Sequence, residues 1–182
     1  MKTQINLKMD EDLLEKLDEK ANEEGRTRTN LIEQILREHL GRSYWLWVNT
    51  GEMDIGDDMV RGDENCWNGC DENSLKGHKV LIYRTSPNKH IKYLAEIIEN
   101  AEKDQIPTKN GEKSGYRCKY VILESFDTPL EISEMRNYYS LKDWYPLKVS
   151  FVKMVFKIED KYWNTLRDIL ITKNPSSKDS FG

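Results

Sequence analysis

Residues 3–9, TQINLKM, alternate polar with apolar side chains, and from residue 10 the periodicity becomes that of a helix. Successive side chains of an extended chain point to opposite faces, so Ile5, Leu7 and Met9 share one side of a strand and Gln4, Asn6 and Lys8 the other. The next stretch, DEDLLEKLDEKANEEG, sets Leu13, Leu14, Leu17 and Ala21 at helical spacing, with Asp10 as N-cap, acids in the first turn and Gly25 as a stop. A second helix follows in RTRTNLIEQILREHL. Thr27 or Thr29 caps it, and Leu31, Ile32, Ile35, Leu36 and Leu40 lie on one face, with Gly41 beyond the end. One strand and two short helices bury too little apolar surface to stand alone, and an isolated strand leaves its backbone donors and acceptors without partners. A second copy of the chain resolves both shortages. Two strands pair antiparallel about a two-fold axis, four helices cover the apolar face of the ribbon, and the polar face looks outward.

In length, in alternation and in the EEGRTRTNLIEQIL turn, this segment resembles the ribbon-helix-helix family of dimeric DNA-binding proteins over residues 1 to about 41. The resemblance implies a two-stranded ribbon in the major groove, where Gln and Asn pair with adenine and Lys reaches guanine acceptors. It makes Gln4, Asn6 and Lys8 the base readers. The start of the second helix, at Arg26, Thr27, Arg28 and Thr29, would hold a phosphate through free backbone N–H groups and hydroxyls. Residues 1–42 carry eight Lys/Arg against ten Asp/Glu, so DNA contact there must come from geometry and local clustering rather than bulk attraction. The plainer alternative is that the three polar residues are only the solvated side of a dimerisation ribbon.

The whole chain has 182 residues, 33% charged and 37% hydrophobic, and a net charge of −4, the profile of a globular protein rather than one coated in basic residues. The N-terminus has charges throughout and no apolar stretch of signal-peptide length, and three cysteines cannot all pair within one chain. Both point to the cytoplasm. Only Arg42 and Ser43 separate the second helix from YWLWVN, which divides the chain into residues 1–42, residues 43–171 and a low-complexity end, TKNPSSKDSFG, expected as a disordered tail over 172–182. In the middle part YWLWVN, HKVLIYRT, IKYLAEIIEN, YRCKYVILESF and VSFVKMVF read as strands. LEISEMRNYY and EDKYWNTLRDIL read as helices, the second with Tyr162, Trp163, Leu166, Ile169 and Leu170 on one face. The fold class expected is α+β, the second domain being a strongly curved sheet or barrel with flanking helices.

YWLWVN, the Trp-x-Gly of CWNG, GHKVLIYRTS, YLAEIIENAEKD and FDTPLEISEMRN together resemble the EVE domain, of the PUA-like superfamily that includes readers of methylated bases. Family members usually continue the first strand with Lys-Ser and Glu-Pro, where this chain has Val48, Asn49, Thr50 and Gly51. They also place Arg-Asn after Trp-x-Gly, where this chain has CDEN. The resemblance implies a slot for a flipped-out modified base, with aromatic walls and a few amide or hydroxyl groups at the base edge. Trp45, Trp47, Trp67, Tyr83 and Trp144 are the available walls, and Asn49, Thr85 and Ser86 the edge partners. Filling of the core by these same aromatics is the competing reading, and it is the one adopted for Trp163.

Cys66 and Cys70, with His78 and Cys118 elsewhere, lack the spacing of a zinc finger, and the acids of DIGDDMVRGDE lack the pattern of a calcium loop. No nucleophile motif, phosphate-binding glycine loop or metal-binding helix is present, so neither catalysis, metal nor cofactor is expected. The expectation is a dimeric DNA-binding regulator, pairing with itself through residues 1–42, with DNA and a modified nucleobase or RNA as partners and no membrane. The alternative is an RNA- or modified-DNA-binding module that the ribbon merely dimerises.

Overall fold

The computed structural model describes residues 8–41, 43–49, 59–108 and 111–181, and the chain divides into two compact units, Met1–Arg42 and Ser43–Gly182. Residues 3–7 of the expected strand lie outside the described residues; Lys8 is exposed and Met9 half-buried. Helix α1 (Glu11–Glu23) starts after Asp10, whose backbone is extended but whose side chain makes no cap hydrogen bond. It stops at Gly25, whose φ of 63° is the left-handed geometry that glycine adopts without steric cost. The N–H of Arg26 then donates to the carbonyl of Ala21 and that of Gly25 to Asn22, the paired bonds of a Schellman closure. Helix α2 (Arg28–Leu40) is capped by Thr27, whose hydroxyl oxygen accepts from the Asn30 N–H at 3.3 Å. The pair buries Ala21 and Leu31 but leaves Leu13 48% and Leu36 45% exposed.

The second unit is built on one sheet with strands β1 (Tyr44–Asn49), β2 (Glu64–Asn68), β3 (Lys79–Arg84), β4 (His90–Ile97), β5 (Glu102–Thr108), β6 (Gly111–Glu131) and β7 (Val155–Ile158). Their order is β2-β6-β4-β3-β1-β7, with β5 on β6, and the sheet does not close into a barrel. β1 and β3 run parallel, from Tyr44 opposite Lys79 to Asn49 opposite Arg84. Both are nearly continuous apolar runs because both of their faces are covered. Two strands escape the sequence pattern. ENCWN and EKDQIPT are short and polar on one side, yet each pairs along β6. Conversely, only the end of VSFVKMVF is a strand, since Ser150 and Phe151 take positive φ values of 50° and 58° and turn the chain just before it.

Alternation along the strands makes two cores. Leu46, Val48, Leu81 and Tyr83 face a layer formed by α3 (Ile132–Asn137), α4 (Tyr145–Lys148) and α5 (Asp160–Lys173). α5 buries Tyr162, Trp163, Leu166, Ile169 and Leu170, the face its sequence periodicity marks. The opposite core holds Trp45, Trp47, Trp67, Val80, Ile82, Cys118 and Tyr120 from the strands and Met59 and Cys70 from the loops that flank β2, with no helix among them. Trp67 of β2 reaches Trp47 of β1 although β6, β4 and β3 stand between them in the sheet, so the sheet curls over its own aromatic face. The expected tail is ordered instead: α5 extends to Lys173 and a 3-10 segment, Pro175–Phe181, follows. Phe181 packs on Phe126 and Trp163, and the Asn174 side chain bonds to Thr128 in both directions at 2.9 and 3.0 Å. A composition rich in Ser and Lys hides the one apolar anchor that orders it.

Candidate functional site

The aromatic face has an unusual polar balance. Trp47 and Trp67 stack with ring centroids 4.8 Å apart and planes 19° from parallel, and Tyr120 meets Trp47 edge-on at 5.3 Å. Neither indole N–H, on Trp47 or Trp67, has a hydrogen-bond partner among the described residues, and both are buried. At the carboxyl end of β1 the Asn49 side chain, also buried, leaves its Oδ1 without a donor. Each such group costs about 1–3 kcal/mol to bury unpaired, so the face holds two donors and one acceptor that the described residues leave unmatched. Trp45, on the same face, differs. Its Nε1–H donates at 3.1 Å to Nδ1 of buried His78, which also accepts from the Leu75 N–H at 3.2 Å. Two donors on one ring nitrogen require that nitrogen to be the acceptor, so Nδ1 carries no proton in this arrangement.

The parallel pairing of β1 and β3 brings Thr85 and Ser86 to the same strand end as Asn49, whose carbonyl accepts from the Thr85 N–H at 3.0 Å. The Ser86–Pro87 peptide is cis, and Lys89 closes the turn by donating to the Thr85 carbonyl. Tyr83 and Trp144 do not join them. An odd step along β3 sends Tyr83 to the helix-covered face, where it stacks on Phe151 at 4.0 Å and burial pushes its phenol up to about 12. Trp144 packs against Phe151 and Tyr162 in that same core. The expected pocket set is thus split by the sheet, with Trp45, Trp47, Asn49 and Trp67 on one face. The indoles of Trp47 and Trp67 moreover touch each other, so they form one stack rather than two walls with a base-width slot between. Sequence reading missed Tyr120 and His78. The alternation Cys118, Tyr120, Ile122 carries a signal for the first, but nothing local marks the second.

In the N-terminal unit, Gln4 and Asn6 lie outside the described residues. Thr27 and Thr29 stand at the start of α2, where the first backbone N–H groups lack intrahelical acceptors. Arg28 reaches back to α1, its guanidinium donating to both oxygens of Asp18 at 2.6 and 2.9 Å, and Arg26 lies 3.5 Å from Glu24. The arginines expected at a phosphate are therefore engaged with carboxylates.

All three thiols are free. Cys66 is exposed, and Cys70 and Cys118 are buried. A hydrogen bond between the latter two lowers the Cys70 pKa and raises that of Cys118, which burial raises further. Among the described residues no group of three or more His, Cys, Asp or Glu is placed to hold a metal ion, and no helix is long and apolar enough to cross a membrane.

The second unit is thus a curled mixed sheet with a helical layer on one face and an aromatic face on the other. The model of the EVE domain matches residues 43–169, and the chain belongs to that family. Residues 3–43 match the ribbon-helix-helix protein, copG family. A protein from Pseudomonas putida is 15% identical, with a TM-score of 0.57, over 70% of this chain and 99% of its own. Rpa0253 from Rhodopseudomonas palustris is 21% identical, with a TM-score of 0.53, over 68% and 89%. The DUF55 domain of human thymocyte nuclear protein 1 is 16% identical, with a TM-score of 0.51, over 70% and 98%. These likenesses concern the fold. No curated protein sequence matches. A ribbon-helix-helix unit joined to an EVE domain fits DNA binding.

Proposed function

We propose that the protein is a dimeric, sequence-specific DNA-binding regulator whose EVE domain takes up a modified nucleobase. The observation that carries the base-binding part is the buried trio of Trp47 Nε1, Trp67 Nε1 and Asn49 Oδ1, two donors and one acceptor beside an aromatic stack. A nucleobase offers the complement, a flat ring for stacking and an edge with acceptors and donors. An indole N–H lies in its ring plane, so a base takes these donors from beside the Trp47–Trp67 stack and not from between the rings. Dimerisation is supported by Leu13 and Leu36, apolar residues on two helices that are 48% and 45% exposed. The reading is of a binding protein and not of an enzyme.

The engagement of Arg28 with Asp18 favours a second reading, in which the ribbon only pairs two chains and the EVE domain binds RNA or modified DNA. One set of measurements separates the two. Joint replacement of Gln4, Asn6 and Lys8 by alanine should lower affinity for the operator about tenfold or more per lost contact. If sequence-specific duplex binding survives that change, the ribbon is a dimer handle. Trp67→Phe, which keeps a ring and removes the N–H, and Asn49→Leu should leave operator affinity intact and cut the preference for modified over unmodified duplex several-fold.

A further inference from the structure

We propose that the groove along the outer edge of β7 is a docking surface for a single-stranded stretch of DNA, with phosphates on Lys153 and Lys157 and an unstacked base against Tyr145, the strand continuing past the start of α4 over Lys142 and Tyr139. This rests on the reading of the EVE domain as a nucleic-acid binder and adds to it where the strand runs. The groove encloses about 310 Å3 between α4 and β7, and its lining includes Tyr145, Lys153, Val155 and Lys157. β7 ends the sheet, and it pairs with β1 alone. In that pairing Lys157 stands opposite Trp45 and Val155 opposite Trp47, and residues opposite one another project from the same face. The cationic edge therefore borders the face that carries the unpaired indoles.

Charge decides the occupant. The chain is net negative and Glu159 lines the groove itself, but it pairs with Lys161 at 3.0 Å, and Asp143 pairs with Lys148 at 2.8 Å. Lys142, Lys153 and Lys157 are exposed, and none pairs with a carboxylate among the described residues. Two of the three instead lie over aromatic rings. Lys142 Nζ is 3.7 Å from the ring centre of Tyr139, which is 80% exposed, and Lys153 Nζ is 5.8 Å from that of Tyr145. Cations interleaved with exposed rings are the arrangement by which proteins track a single strand, whose bases present π-faces that a duplex hides. The turn that presents Lys153 is also held against its own preference. Ser150 and Phe151 both occupy the left-handed region, which costs a non-glycine residue of order 1–3 kcal/mol. Phe151, stacked under Tyr83, pins them there, and Val152 and Lys153 project outward with Val152 74% exposed. DNA is favoured over RNA as the occupant because the same chain carries a ribbon-helix-helix unit.

The test uses the full chain with Gln4, Asn6 and Lys8 replaced by alanine, so that the ribbon reads no bases. Binding of an unmodified single-stranded DNA oligonucleotide is measured across a salt series. In the Lys142→Gln, Lys153→Gln, Lys157→Gln variant the affinity should fall about tenfold at low salt, and the log–log salt slope should shrink by about 2, three contacts at roughly 0.7 each. Changing Lys89, Lys113 and Lys178 to Gln alters net charge equally and should leave the slope unchanged. An unchanged slope in the groove variant overturns the proposal, and aggregation in its place would leave the lysines as guards of an edge strand. RNA of the same sequence binding tenfold more tightly overturns the choice of DNA. The pocket reading fails separately, when the ribbon-intact protein binds modified and unmodified duplex alike.

Discussion

Trp163 and Trp67 are both buried indoles of the same domain, on opposite faces of one sheet, and their surroundings differ in kind. Trp163 stacks on Tyr44 at 4.1 Å, nearly parallel, and touches Phe181, within a core sealed by α5 and the C-terminal turn. Trp67 stacks on Trp47 in a core without helices, and both rings keep an N–H that no described residue bonds. One face is finished by apolar packing. The other carries a standing polar cost, a feature that folding alone does not require and that the proposed base would relieve.

The largest way to break this comparison is to truncate each indole. Trp163→Ala should destabilise the EVE domain by about 3–5 kcal/mol, through lost transfer energy and the cavity left behind, measured as a lower urea midpoint. Trp67→Phe should change stability by no more than about 1 kcal/mol, since the loss of ring volume is offset by removal of an unsatisfied donor. A Trp67→Phe cost as large as that of Trp163→Ala would mean that the two faces are energetically alike. The smallest effect sharpens the comparison from the helix-covered side. Glu134 in α3 accepts from Lys173 at the end of α5, and this hydrogen bond holds its carboxyl below the usual range. A depressed carboxylate pKa contributes stability above the unfolded value of about 4.3 that is lost as pH falls through the folded pKa. The pair is partly exposed, so Glu134→Gln should cost only a few tenths of a kcal/mol at neutral pH and nothing in acid. The difference in urea midpoint between wild type and variant, followed from pH 7 to pH 3, reads this directly.

A second contrast runs between the two units. The helices of the N-terminal unit follow their sequence closely, from the Thr27 cap to the glycine stop at residue 25, because capping and periodicity act within a few residues. In the EVE domain the same local signals placed β1, β3, β4 and α5 but not β2 or β5. Those two are held by pairing along the 21-residue β6, which for β2 joins residues from Asn68 with Arg117 to Glu64 with Val121, and their own composition does not mark them as strands. The site residues divide in the same way. That Trp45, Trp47 and Asn49 share a face is a matter of alternation and was legible. That Tyr83 and Trp144 face away from Trp67 depends on which side of the sheet the helices cover, and no residue pattern states it.

By itself the sequence determined the helical pair, the apolar central strands, the amphipathic closing helix and the family to which residues 43–169 belong, because each rests on spacing of two to four residues or on a contiguous motif. Only the tertiary structure decided that the sheet curls without closing, that Trp67 meets Trp47 across three intervening strands, and that Phe181 orders the chain's end. It also decided which buried polar atoms go unpaired. Hydrogen-bond satisfaction is a property of three-dimensional neighbours, and residues far apart in the chain supply or withhold those partners.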